Sequence, residues 1–123
     1  MEFIDRGRAL WILSERAAAK RFFHDCSPEV RRWAFGQLTP QQLAPMLAPV
    51  SLPNLWRSEL PRSLIAARDD KVPNPVEKVA DRLGVDPFWI DGSHSPMLSR
   101  PGECVELIID SLKRPPRGPF KSC

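Results

Sequence analysis

Apolar positions recur at helical spacing in the first half of the chain and in short runs in the second half. The first half is predicted to form short helices that are broken by proline. Ser27 and Pro28 provide an N-cap and a first-turn proline ahead of an apolar stripe, which predicts the start of a helix. Thr39 and Pro40 repeat this arrangement and predict a second, shorter helix. The segment 50–60 shows no periodicity and is predicted to be a connector.

The second half of the chain alternates between strand and helix patterns. The apolar run at 64–67 is bounded by charged residues, as a strand buried on both faces would be, and a second strand is predicted at 85–91. An amphipathic helix pattern lies between them and ends at Gly84, and another helix pattern begins near Ser99 and Pro101. This order predicts an α/β fold in which two parallel strands are joined by a right-handed crossover.

Two strands are too few for a stable parallel sheet, because such sheets need several strands and cover on both faces. We therefore expect a partial fold, the edge of a larger sheet whose other strands are not encoded here. The predicted parts are a helical segment with its connector at 1–60, a β-α-β-α unit at 61–113 and a disordered tail at 114–123. An open sheet edge would favour self-association.

Charge and cysteine usage narrow the range of functions. The net charge is only +3 and the basic residues are scattered, so a nucleic-acid partner is not indicated. No stretch approaches the roughly 18 apolar residues of a membrane span, and the N-terminus lacks a signal-peptide pattern. Cys26, Cys104 and Cys123 lack the spacing of a zinc site or a disulfide framework. We therefore expect a cytoplasmic protein with no metal or other cofactor.

An acid and a histidine follow the two predicted strands. Asp69 lies just after the first strand, and His94 lies in a Gly-Ser-His-Ser-Pro loop after the second, where Gly92 can allow a tight turn. Because ligands bind where parallel strands end, both side chains are expected at one rim of the sheet. A carboxylate there can hold an imidazole in one tautomer and stabilise its protonated form. Asp70 is the alternative acid, since spacing alone does not separate the two.

Three stretches of the sequence resemble the C-terminal part of α/β-hydrolase enzymes, in a branch with small-ester hydrolases and hydroxynitrile lyases. These stretches are Asp69-Asp70-Lys71-Val72-Pro73, Val79–Val85 and Ile90–Pro101. The segment 22–41 is similar to the helical cap of that family, so that the resemblance spans residues 20–112. It implies a Ser-Asp-His triad in which Asp69, four residues before a proline, is the acid and His94 is the general base. The implied reaction is hydrolysis of a carboxylic ester.

The nucleophile of such a triad is missing, since no serine lies in a Gly-x-Ser-x-Gly turn. Covalent acyl transfer cannot begin without it, so we expect a truncated hydrolase that is inactive alone. A small ester-like substrate is expected only if an N-terminal half completes the enzyme. The alternative is a non-enzymatic binding or interaction protein that is derived from a hydrolase.

Other side chains leave alternatives open. His24 and Asp25 could form a second site or play a structural role in the cap. A cysteine nucleophile is disfavoured, because Cys104 falls on the apolar side of the last helix and Cys26 lies in the cap. Four apolar residues could line a substrate pocket or form the packing face of the cap: Trp33, Phe35, Leu43 and Met46. Met97 is a further candidate for the pocket.

Overall fold

The computed structural model describes residues 2–5, 10–73 and 75–113. Its strands are β1 (Glu2–Asp5), β2 (Leu10–Ile12), β3 (Gln41–Gln42), β4 (Ile65–Ala67) and β5 (Phe88–Ile90). Its helices are α1 (Glu15–Phe22), α2 (Pro28–Gly36), α3 (Ala44–Leu47), α4 (Pro53–Trp56), α5 (Val76–Leu83), α6 (Pro96–Ser99) and α7 (Pro101–Lys113). The predicted tail at 114–123, which includes Cys123, lies outside the described residues.

The antiparallel sheet β1-β2-β3 is a feature of the first half that the apolar pattern did not predict. Leu10 and Trp11 of β2 lie opposite Gln42 and Gln41 of β3. The helix predicted to start at Thr39 is therefore wrong at its beginning, because the two glutamines extend the sheet and α3 starts only after them. Two exposed glutamines show no strand pattern of their own, so their pairing with β2 decides their conformation. The predicted connector likewise contains the short helix α4.

The helices α1 and α2 begin at serine N-caps and enclose the main buried cluster. The Ser14 hydroxyl accepts a hydrogen bond from the Ala17 amide at 3.4 Å, and the Ser27 hydroxyl accepts one from the Val30 amide at 3.3 Å. The helix start predicted at Ser27 is thus confirmed. The buried cluster consists of Leu13, Ala18, Phe23, Cys26 and Ala34. Since two of these residues lie between α1 and α2, that turn is anchored in the core.

The β4-α5-β5 unit has the order and direction that the sequence predicts. β4 and β5 pair in parallel, with Ile65 opposite Phe88 and Ala67 opposite Ile90. Helix α5 ends at Gly84, which adopts the left-handed conformation with φ of 65°. Ile90 is fully buried, and Ala66 of β4 and Ala80 of α5 are buried as well. The predicted α/β fold class is confirmed.

The long helix α7 leaves its apolar face exposed. Its four large apolar residues on that face are between 47% and 82% exposed: Val105, Ile108, Ile109 and Leu112. No residue of this helix is buried. Within the described part of the chain, no helix is both long and apolar enough to cross a membrane.

Candidate active site

Two loops leave the carboxyl ends of β4 and β5 side by side. Hydrogen bonding between the two segments continues beyond the strands, because the Arg68 amide donates to the Ile90 carbonyl at 2.9 Å. One residue further, the Asp69 amide donates to the Gly92 carbonyl at 3.1 Å. The loop with the two aspartates and the loop with His94 therefore start in register at one rim, as the strand order predicts.

His94 contacts Asp70 at this rim. The distance from His94 Nδ1 to Asp70 Oδ2 is 2.8 Å. Asp70 Oδ1 accepts a second hydrogen bond from the Val72 amide at 2.7 Å, which forms an Asx turn and orients the carboxylate. Because an ionised carboxylate can only accept, Nδ1 carries the hydrogen, and the lone pair of a neutral imidazole is then on Nε2. The Asp70 side chain is 14% exposed and that of His94 is 41% exposed, so the acid is the more shielded partner.

Asp69, the acid that the family resemblance indicates, has different partners. Its carboxylate forms an ion pair with Lys71, and the hydrogen bond in this pair lowers the pKa of Asp69. Its Oδ2 atom lies 3.8 Å from Nε2 of His24, and its side chain is 56% exposed. The geometry therefore favours Asp70 over Asp69 as the partner of His94. The reason is local, since the Asx turn directs the second aspartate of the pair, and not the first, towards the neighbouring loop.

The turn between α1 and α2 contacts both loops. His24 Nε2 donates to the Asp69 carbonyl at 3.0 Å. Asp25 Oδ2 accepts from the Ser93 amide at 3.0 Å, and the Phe22 carbonyl accepts from the Ser93 hydroxyl at 2.9 Å. These contacts support the structural interpretation of the His24-Asp25 pair over a second site.

Gly92 and Ser93 make the His94 loop compact. Gly92 has a φ of 109°, a conformation that L side chains rarely adopt, and a Cβ at this position would collide with the Asp25 carboxylate. The tight turn predicted at Gly92 is thus confirmed. Ser93 is fully buried and donates its hydroxyl hydrogen to the backbone. Although it precedes His94 directly, its hydroxyl is committed to this structural bond.

Further contacts hold the α1–α2 turn and the imidazole. Arg31 Nε donates to the Cys26 carbonyl at 2.8 Å, and Arg31 Nη2 donates to the His24 carbonyl. The Phe22 ring packs against the His94 ring at a centroid distance of 5.5 Å and a tilt of 44°. The sequence pattern did not mark Arg31 or Phe22 for these roles, because both side chains act across turns or between distant segments.

Two cysteines lie in the described part of the chain, and neither is exposed. Cys26 is buried, and burial raises the pKa of its thiol, which keeps it protonated and unreactive near neutral pH. Cys104 lies half-buried on α7. Among residues 2–5, 10–73 and 75–113, no group of three or more histidine, cysteine or acidic side chains is placed to hold a metal ion.

The apolar residues proposed for a substrate pocket are mostly on the surface. Trp33, Met46 and Met97 are each more than half exposed. Phe35 packs against the buried cluster between α1 and α2, and Leu43 is half-buried. The described structure thus gives Phe35 a packing role, and the pocket assignment stays a prediction.

Comparison with protein families identifies the family of this chain. The sequence profile of the alpha/beta hydrolase family matches residues 2–107. The chain belongs to the alpha/beta hydrolase family. This match includes both sheets, the α1–α2 turn and the His94 loop, and it extends to the N-terminal strands that lie before the resembling stretches. Comparison with curated proteins and with solved structures gives no significant match.

Proposed function

We propose that this alpha/beta hydrolase chain provides the acid and the general base of a Ser-Asp-His triad for the hydrolysis of a small carboxylic ester. The observation that carries the proposal is the 2.8 Å contact between His94 Nδ1 and Asp70 Oδ2 at the carboxyl rim of a parallel strand pair. In this proposal His94 is the base, and Asp70 replaces Asp69 as the acid that orients it.

In the proposed reaction, the two ring nitrogens of His94 have different roles: Nε2 transfers the proton and Nδ1 bonds to Asp70. His94 Nε2 takes the proton of a serine hydroxyl as the serine oxygen attacks the ester carbonyl, and it returns that proton to the departing alkoxide. Water then repeats the sequence, which releases the carboxylic acid and regenerates the serine. Asp70 stabilises the imidazolium that forms twice in each cycle, and its second hydrogen bond from Val72 keeps the carboxylate in place.

The nucleophile and the oxyanion-hole donors would come from a segment outside these 123 residues. No Gly-x-Ser-x-Gly turn occurs in the sequence, and the hydroxyl of Ser93 is bound to the Phe22 carbonyl. The exposed apolar face of α7 and the two-stranded parallel sheet β4-β5 support the packing of such a segment here, since parallel sheets are normally covered on both faces. The isolated chain is therefore proposed to be a truncated, inactive hydrolase, in a reducing cytoplasmic setting.

The second candidate is a non-enzymatic interaction protein derived from a hydrolase. The exposed residues of α7 favour it, because an apolar patch of this kind is typical of a surface that contacts another protein. The two candidates differ in whether the His94–Asp70 pair has any chemical consequence.

A complementation assay tests the proposal. The chain is expressed alone and together with the N-terminal half of a family member that carries the serine turn, and hydrolysis of p-nitrophenyl butyrate is measured. We expect no turnover by the chain alone and clear turnover by the complex. In the complex, His94→Ala and Asp70→Asn are expected to lower kcat by about 10⁴-fold, the size of effect that loss of a triad member has.

Asp69→Asn is the matched control, because it removes the neighbouring carboxylate and leaves the His94 contact in place. It is expected to change kcat by less than about threefold. Full turnover by the His94→Ala complex would overturn the triad. A complex that assembles in size-exclusion chromatography, yet hydrolyses no ester, would favour the interaction protein.

A further inference from the structure

The α1–α2 turn presents two neighbouring polar side chains to the two loops of the candidate site, and the proposed reaction uses neither. His24 donates to the carbonyl of Asp69, the residue before Asp70. Asp25 accepts from the amide of Ser93, the residue before His94. Two consecutive residues of one turn thus form hydrogen bonds with the residue that precedes Asp70 and with the residue that precedes His94.

We propose that Asp25 and His24 are positioning residues that set the separation of the two loops and thereby the His94–Asp70 contact. This inference rests on the proposed function for its catalytic consequence, whereas its structural consequence can be measured independently. It assigns no contact with substrate to either residue.

The burial of Ser93 explains why the carboxylate matters. Ser93 is fully buried, so its amide needs an acceptor, and the described chain provides the Asp25 oxygen. Hydrogen bonds to an ionised acceptor are stronger than those between neutral groups. Removal of the carboxylate leaves a buried donor without a partner, and the loop is then expected to open.

The conformation of the His94 loop also supports a positioning role for Asp25. Gly92 approaches the Asp25 carboxylate so closely that no side chain fits between them, and its φ of 109° turns the chain towards His94. Arg31 in turn holds the backbone of the turn through the carbonyls of His24 and Cys26. The backbone on either side of Asp25 is therefore held by Arg31 of α2, and the Asp25 carboxylate is contacted by the loop.

Nuclear magnetic resonance of the full chain tests the structural part. In Asp25→Ala, we expect hydrogen exchange at the Ser93 amide to accelerate about tenfold or more, because the bond to an ionised group is lost. The cross-relaxation signal between the Phe22 and His94 rings is expected to weaken or disappear. Exchange rates in α5 are expected to stay unchanged, because the Asp25 carboxylate bonds to the His94 loop.

Two further variants separate positioning from general destabilisation. Asp25→Asn keeps a side-chain oxygen and is expected to restore both the slow Ser93 exchange and the ring contact. Asp86→Ala removes an exposed carboxylate in the turn before β5 and is expected to change neither. His24→Ala is expected to accelerate exchange at the Asp69 and Val72 amides.

The outcomes distinguish this inference from the proposed function. Unchanged Ser93 exchange and an unchanged ring contact in Asp25→Ala would overturn the positioning role, as would an equal acceleration throughout α5. In the complemented enzyme, we expect Asp25→Ala to lower kcat about tenfold with little change in KM, and Asp25→Asn to restore it. If the complex hydrolyses no ester while the resonance results hold, the proposed function fails and the loop-positioning role stands.

Discussion

The rim around His94 and the helix α7 differ in how completely the described chain surrounds their side chains. The comparison concerns hydrogen-bond partners at the rim and the burial of apolar side chains on α7. At the rim, the amide and the hydroxyl of fully buried Ser93 both have partners, and the Asp70 carboxylate has two. Along α7, the apolar face is half to mostly exposed and no residue is buried. The polar geometry of the acid–histidine pair is thus complete within the described chain, whereas the apolar surface of the last helix is not covered.

This difference has a physical origin. A hydrogen bond joins one donor and one acceptor that lie about 3 Å apart. A few loop residues can therefore satisfy each other's polar groups without a large core. Hydrophobic burial scales with area and needs a covering layer, which a two-stranded sheet with one long helix does not supply. The chain can therefore present an ordered acid–histidine pair on an incompletely buried scaffold.

Loss of a buried side chain at the rim is expected to have the largest effect. Ile90→Ala removes a fully buried side chain from β5 and should lower the free energy of unfolding by about 2–5 kcal/mol. Leu112→Ala on α7, where the side chain is 82% exposed, should change it by less than about 0.5 kcal/mol. Urea unfolding monitored by circular dichroism measures both. Equal losses would mean that α7 is buried in solution, and the contrast between the two regions would fail.

Substitution of Gly92 is expected to lower the free energy of unfolding slightly less than Ile90→Ala does. Gly92→Ala places a Cβ in a left-handed conformation and against the Asp25 carboxylate, which should destabilise the chain by about 1–3 kcal/mol. The control is Gly102→Ala in α7, where nothing lies within 4 Å of an added Cβ. That variant should be neutral or stabilising by up to about 1 kcal/mol, because alanine favours helices. A stable Gly92→Ala protein would contradict the close approach described here.

The Ser93 hydroxyl offers a smaller test of the polar rim. Ser93→Ala leaves the Phe22 carbonyl without its partner and should lower the free energy of unfolding by about 1–2 kcal/mol. Ser111→Ala removes a hydroxyl that bonds within the exposed part of α7 and should have an effect below about 0.5 kcal/mol. Thermal unfolding of the two variants side by side provides the measurement. A Ser111 effect as large as that of Ser93 would remove the distinction.

The smallest expected effect is on the pH dependence of stability. Burial raises the pKa of Asp25, but hydrogen bonds to its carboxylate, including the one from the Ser93 amide, outweigh this effect, so the pKa lies below its ordinary value. A lowered folded-state pKa contributes stability that is complete above about pH 4 and is lost as the pH falls through the folded value. Wild type should therefore lose more stability than Asp25→Asn between about pH 5 and pH 2. Parallel acid profiles would show that this carboxylate gains nothing from the loop.

Local features of the sequence were sufficient to predict several helix ends and turns. The Ser27 cap, the glycine that ends α5 and the turn at Gly92 depend on backbone preferences of a few adjacent residues, and all three are found. The sheet β1-β2-β3 could not be predicted in the same way, because Gln41 and Gln42 become a strand only through pairing with a segment some 30 residues earlier.

By itself, the sequence determined that an acid and a histidine follow two parallel strands and so reach one rim, because strand direction and order depend on local patterns. Only the tertiary structure decided that Asp70 is the partner of His94, since the choice depends on an Asx turn and on the neighbouring loop. It alone also revealed that His24 and Asp25 form hydrogen bonds with these loops across 45 and 68 residues of sequence. Contacts at such separations arise from the packing of the α1–α2 turn, which no local pattern encodes.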